Sequence, residues 1–133
     1  ALMDGKILSN RTRKRMFTPY LNIRTLHQFA LKADEPEGEE ARAVGLAYGM
    51  GWGLLTRTRF GKAFFKEGHG DGAQTYMICF EKRKACMILL TNSDNGELAF
   101  RPLLEKIFGN TVTPWEWEGY TPGYIEAARR QNP

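Results

Sequence analysis

Serine is almost missing from this chain: Ser9 and Ser93 are the two it has in 133 residues. Any serine-based chemistry must therefore start from one of those positions. Cysteine is as scarce, and Cys79 and Cys86 alone cannot build a disulfide framework. No apolar run approaches the length of a membrane span, and the opening residues carry no signal-peptide pattern, so no membrane partner is expected. A net charge of +4 and a pI near 9.2 are too mild to imply nucleic acid. The clusters Arg11, Arg13, Lys14, Arg15 and Arg57, Arg59, Lys62 read as solvated faces. Five acidic residues between positions 34 and 40 would oppose a polyanion, so no nucleic-acid partner is expected either. Nothing in the sequence calls for a cofactor, and there is no internal repeat.

What is present is an ordinary soluble composition, 42% hydrophobic and 26% charged, in a chain long enough to bury a sizeable core. The expected organisation is a single domain over 1–133: a helical and loop lead-in over 1–44, a sheet and helix over 45–110, and a tail over 111–133. Ser9 suits the N-cap of a short helix over 10–17, stopped by Thr18-Pro19. The segment 21–31 fits a helix through Leu26, Phe29 and Ala30, or a strand through Ile23, Thr25 and Phe29. Residues 34–40 read as a solvated loop.

A glycine-rich strand is expected over 45–56, its Gly49 and Gly51 leaving bare backbone where something packs closely or the strand bends. Strands follow over 63–68, 74–81 and 85–92. The run from Ala85 to Leu90 is apolar throughout, which predicts a central strand covered on both faces. Phe100, Leu103, Leu104, Ile107 and Phe108 share a helical face that ends at Gly109, with Pro102 marking a kink or the true start. A further helix is expected from about Gly123. The fold class is α+β: an antiparallel meander of about four strands with packed helices. Cys79 and Cys86 flank a hairpin turn; a four-residue loop sets them opposite each other, a three-residue loop on opposite faces. Two free, buried thiols are expected.

The chemistry concentrates at His69-Gly70-Asp71-Gly72, a polar step between two strands where a ligand can lie against bare backbone N–H groups. With the strands beside it and Ser93-Asp94-Asn95 beyond, the block over about 48–120 resembles the C-terminal part of the serine β-lactamase and penicillin-binding-protein-like hydrolases. The resemblance implies a partial β-lactamase-like fold in which a Lys-Thr-Gly or His-x-Gly strand walls the active site. It places His69 where the family's lysine stands, and makes the Gly72 backbone N–H half of an oxyanion hole. Gly70, Asp71 and Ala73 then line the substrate. Asp71 departs from the family's glycine, and a carboxylate there opposes an anionic substrate.

The family's Ser-x-x-Lys element is absent: three places after Ser9 and Ser93 stand Thr12 and Gly96. Ser93-Asp94-Asn95 spells the second family element but follows the His-Gly strand, so it is read as a helix N-cap. Tyr20-Leu21-Asn22 spells its variant and is read as chance. The implied function is the C-terminal portion of a serine hydrolase acting on a small acyl substrate only when complete. The alternative is a free-standing ligand- or protein-binding domain that kept the sheet. The expected partner is the missing N-terminal part of a parent protein, or a second copy, meeting the edge near Phe64, Phe65 and Tyr76.

Overall fold

The computed structural model describes residues 5–131. The elements run α1 (Asn10–Met16), β1 (Leu21–Asn22), α2 (Glu39–Val44), β2 (Leu46–Tyr48), β3 (Gly53–Thr58), β4 (Gly61–Gly70), β5 (Ala73–Phe80) and β6 (Ala85–Thr91). A 3-10 turn (Gly96–Ala99), α3 (Phe100–Phe108), α4 (Trp115–Glu118) and α5 (Pro122–Gln131) complete the chain. The strands form one antiparallel sheet of six, ordered β1 to β6 as in the sequence. The α+β meander is therefore as expected, with two more strands than the pattern suggested.

Both additions lie early. The segment 45–56 is not one strand but the hairpin β2–β3, because Gly51 at φ +79 reverses the chain. Gly49 accepts a close approach: a Cβ there would meet the Met16 carbonyl oxygen at 2.3 Å, and Met50 N–H donates to that oxygen. Ser9 caps α1 as predicted, its Oγ accepting from Thr12 N–H at 3.1 Å. The ambiguous segment 21–31 contributes the short β1 and an isolated bridge from Thr25 to Glu37, without a helix. The acidic stretch is not loop as far as position 40: its last residues, Glu39 and Glu40, begin α2, whose Ala41 and Val44 enter the core.

Strand alternation sorts the core onto two faces. On the first, Leu46, Leu55, Phe65, Ile78 and Met87 meet Phe100 and Leu104 of α3 and the aromatic tail residues Trp115, Trp117 and Tyr120. Tyr76 stacks on Phe100 with ring centroids 5.6 Å apart. On the second face a row runs across five strands: Ala47, Leu54, Phe64, Cys79 and Cys86. Phe17 at the end of α1 stacks on Phe64 there. Among the described residues no helix is long and apolar enough to cross a membrane.

Several expectations are corrected. Cys79 and Cys86 form a disulfide rather than two free thiols, because the β5–β6 loop holds four residues, 81–84, and sets them directly opposite. The all-apolar β6 is an edge strand, not a central one: Met87 is buried on the first face, but Ile88 (62% exposed) and Leu90 (76%) lie bare on the second. Phe64, Phe65 and Tyr76 are buried and offer no exposed apolar edge, whereas Ile88 and Leu90 of β6 do. In α3, Phe100 and Leu104 are buried while Leu103 and Ile107 face outward. Pro102 falls in the first helical turn, where no intrahelical N–H bond is lost, and no kink is needed.

Candidate functional site

Successive odd-numbered residues of β4 point to the first face, and their character changes along the strand. Ala63 and Phe65 enter the core, Glu67 follows with its side chain almost fully buried, and His69 reaches the rim. His69 belongs to the strand proper, paired with Gln74 of β5; the turn is Asp71-Gly72 alone, with Gly72 at φ +71. The aromatic tail supplies the opposing group. Tyr120 N–H donates to the Trp115 carbonyl across α4, which turns the Tyr120 ring toward β4.

Tyr120 Oη donates to Glu67 Oε2 at 2.8 Å. With that proton committed, Oη accepts from His69 Nε2–H at 3.1 Å, and His69 Nε2 stands 4.0 Å from Glu67 Oε2. The Glu67 carboxylate raises the His69 pKa above its ordinary value, against an opposing effect of burial. Burial and the same carboxylate push the Tyr120 hydroxyl far upward, so it keeps its proton and serves as a relay of hydrogen bonds, not as a base. Deeper in, Tyr76 Oη donates to Glu118 Oε1 at 3.1 Å. Burial, with Glu67 nearby, holds the Glu118 carboxyl well above the usual carboxylate range.

The remaining predicted residues surround the turn. Gly70, Asp71, Gly72 and Ala73 are exposed at the hairpin tip. The Gly72 N–H is engaged: it donates to Asp94 Oδ1 at 2.6 Å, which ties the tip to the loop after β6. Ser93-Asp94-Asn95 thus does not cap a helix with a side chain; Ser93 Oγ accepts from Asn95 N–H, and the 3-10 turn lacks a side-chain cap. His69 and Asp94 line one cleft of about 560 Å³, with Phe29, Trp117, Tyr120 and Tyr124 among its walls.

Sequence reasoning named His69 and missed Glu67, Tyr120 and Glu118. Glu67 was within reach, since a residue two places before His69 on a strand shares its face. Tyr120 was not, because 51 positions separate it from His69. The arrangement can hold a proton at His69 Nε2 and orient a polar ligand; it contains no serine nucleophile.

No protein-family model matches this sequence, and no curated protein matches it. Among solved structures, the octameric penicillin-binding protein homologue from Pyrococcus abyssi is similar with a TM-score of 0.56 and 16% identity over 84% of this chain. The likeness is one of fold. This chain spans 22% of that protein's chain.

Proposed function

We propose that this chain is the C-terminal portion of a serine hydrolase of the β-lactamase or penicillin-binding-protein type, of the β-lactamase, esterase or D-Ala peptidase kind, and inactive by itself. It supplies one wall of the active site: His69 polarises the surroundings of the nucleophile, the Gly72 N–H serves the oxyanion once Asp94 gives it up, and Gly70, Asp71 and Ala73 border the acyl substrate. The Ser-x-x-Lys element comes from the rest of the parent protein. The observation that carries this reading is β6. An apolar strand normally found covered on both faces here has one bare face and a free edge, which is what a sheet looks like when its neighbouring body is missing. The likeness to part of a much longer penicillin-binding protein homologue supports it.

A second reading has its own support. Tyr120 occupies His69 and Asp94 occupies the Gly72 N–H, as in a domain that kept the sheet and turned the site to non-catalytic binding.

An active-site serine reagent read by mass spectrometry, together with a β-lactam and an activated ester as substrates, tests the first. The isolated chain is expected to show neither labelling nor turnover. Supplying the upstream portion of the parent reading frame is expected to give labelling of a serine on that portion. Stoichiometric labelling of Ser9 or Ser93 would overturn the assignment.

A further inference from the structure

The surroundings of His69 bear on the sign of its ligand. Glu67 lies beside it, Glu97 of the 3-10 turn raises its pKa from a second side, and Asp94 lines the same cleft, where the Glu118 carboxyl keeps its proton and adds no charge. Among the described residues His69 is the one basic side chain in that lining, and no lysine or arginine pairs with any of these four carboxyl groups. An anion placed here would meet repulsion that one half-exposed imidazole does not offset.

Two further observations point to an absent partner of positive charge. Glu97 lines the cleft with a buried Oε2 that has no hydrogen-bond donor. A buried carboxyl oxygen without a donor is costly and uncommon. The cleft also offers ring surface: Phe29 is 71% exposed, and Tyr124 is half-buried with its hydroxyl bonded to the Phe29 carbonyl. Trp117 and Tyr120 form the buried floor. Aromatic faces beside carboxylates attract an organic ammonium group. A metal ion is the poorer fit, since no three His, Cys, Asp or Glu side chains among the described residues are grouped to hold one.

We infer that the cleft between β4, the 3-10 turn and the α4–α5 turn binds an organic cation, its ammonium group near Glu97 and its apolar part against Phe29 and Tyr124. The inference builds on the reading of His69 as a residue that faces ligand, and reverses the charge that the family resemblance assigns to that ligand. Its test needs no nucleophile. Failure here leaves the hydrolase reading standing, and labelling of Ser9 or Ser93 would remove that reading while leaving the cation site.

The probes are benzyltrimethylammonium, benzyl alcohol and phenylacetate, titrated into the purified chain with the quenching of tryptophan fluorescence and calorimetry as readouts. Benzyltrimethylammonium is expected to saturate and to bind at least about tenfold more tightly than phenylacetate, a difference of about 1.4 kcal/mol. Glu97→Gln and Tyr124→Ala are each expected to weaken it by about threefold to tenfold. The charged and titratable groups facing His69 are Glu67 on its own strand, Glu97 on the 3-10 turn and Tyr120 on the α4–α5 turn. Loss of the His69 proton therefore leaves the site more negative, and affinity for the cation should rise between pH 6 and 8 while that for phenylacetate falls. Equal or tighter binding of phenylacetate, unchanged binding in both variants, or no saturation up to about 20 mM would overturn the assignment.

Discussion

His27 Nε2 lies 3.0 Å from Glu116 Oε1, across 89 positions of sequence, while its Nδ1 lies 2.8 Å from Glu35 Oε2. One buried imidazole thus bridges two carboxylates and fastens the loop between β1 and α2 to α4. The same seam holds Gln28 N–H to the Trp117 carbonyl and Trp117 Nε1–H to Thr25 Oγ1. It fixes Gln28 and Phe29 at the edge of the cleft beside His69.

The clasp should depend on pH with a definite sign. Burial opposes charge on His27, but the bonds to Glu116 and Glu35 outweigh it and raise the pKa above the ordinary 6.5. A raised pKa contributes stability that is complete below 6.5 and is lost as pH rises through the folded value. Burial likewise opposes charge on Glu35 and Glu116, and His27 more than restores it, so both lie below the ordinary 4.5. Their share is present above 4.5 and lost as pH falls through the folded values. Urea midpoints should therefore be highest between these limits and decline toward pH 8.5. Because the raised pKa of His69 tilts the curve in the same direction, the comparison is with His27→Gln, which should be flatter over pH 6–8.5. An identical slope in the variant would show that His27 contributes no linkage.

Tyr120 stands between His69 and Glu67, so its hydroxyl sets how strongly the two ions feel each other. Tyr120→Phe removes the donor from a buried carboxylate and should cost about 1–3 kcal/mol. His69 then becomes the main partner of Glu67, and its NMR titration should move to higher pH. A downward shift would mean that Tyr120 supports the imidazolium more than it competes with it.

Helix α3 provides an internal comparison. Leu104 is fully buried and Ile107 is 62% exposed on the same helix. Leu104→Ala should cost about 2–5 kcal/mol, and Ile107→Ala within about half a kcal/mol. Similar losses at both positions would contradict the docking described.

Mass spectrometry of the unreduced chain should find Cys79 and Cys86 cross-linked. Because the bridge closes a short loop, seven positions in sequence, replacing both by serine should lower stability by roughly 2–3 kcal/mol on the loop-entropy model. Full alkylation of both thiols without reductant would exclude the bridge.

The bare face of β6 should be the site of self-association. Ile88→Ser with Leu90→Ser should lower dye binding and the light-scattering mass at high concentration, and change the unfolding free energy little. A chain that is monomeric and dye-silent before mutation would favour the free-standing domain.

Much of this protein is local and therefore written in the sequence. The Ser9 cap, a hairpin between β4 and β5 and a helix ending at Gly109 depend on neighbours a few residues apart, although the turn proved to be Asp71-Gly72 alone and Leu103 and Ile107 of the expected face lie outward. So does the lack of Ser-x-x-Lys. His69 was legible for the same reason, standing beside glycines at a strand end. The pairing of Cys79 and Cys86 is local too, but the sequence left the loop at three or four residues, and one residue of register reverses a strand's faces. Other features depend on contacts between distant segments. Ala85 to Leu90 has the composition of a covered strand, yet cover is supplied by other elements, and none in the described chain reaches Ile88 and Leu90. Tyr120, Glu118 and the His27 clasp acquire their chemistry only when the tail folds back on β4 and the early loop. Burial and neighbouring charge, which set their protonation, come from groups up to 89 positions away.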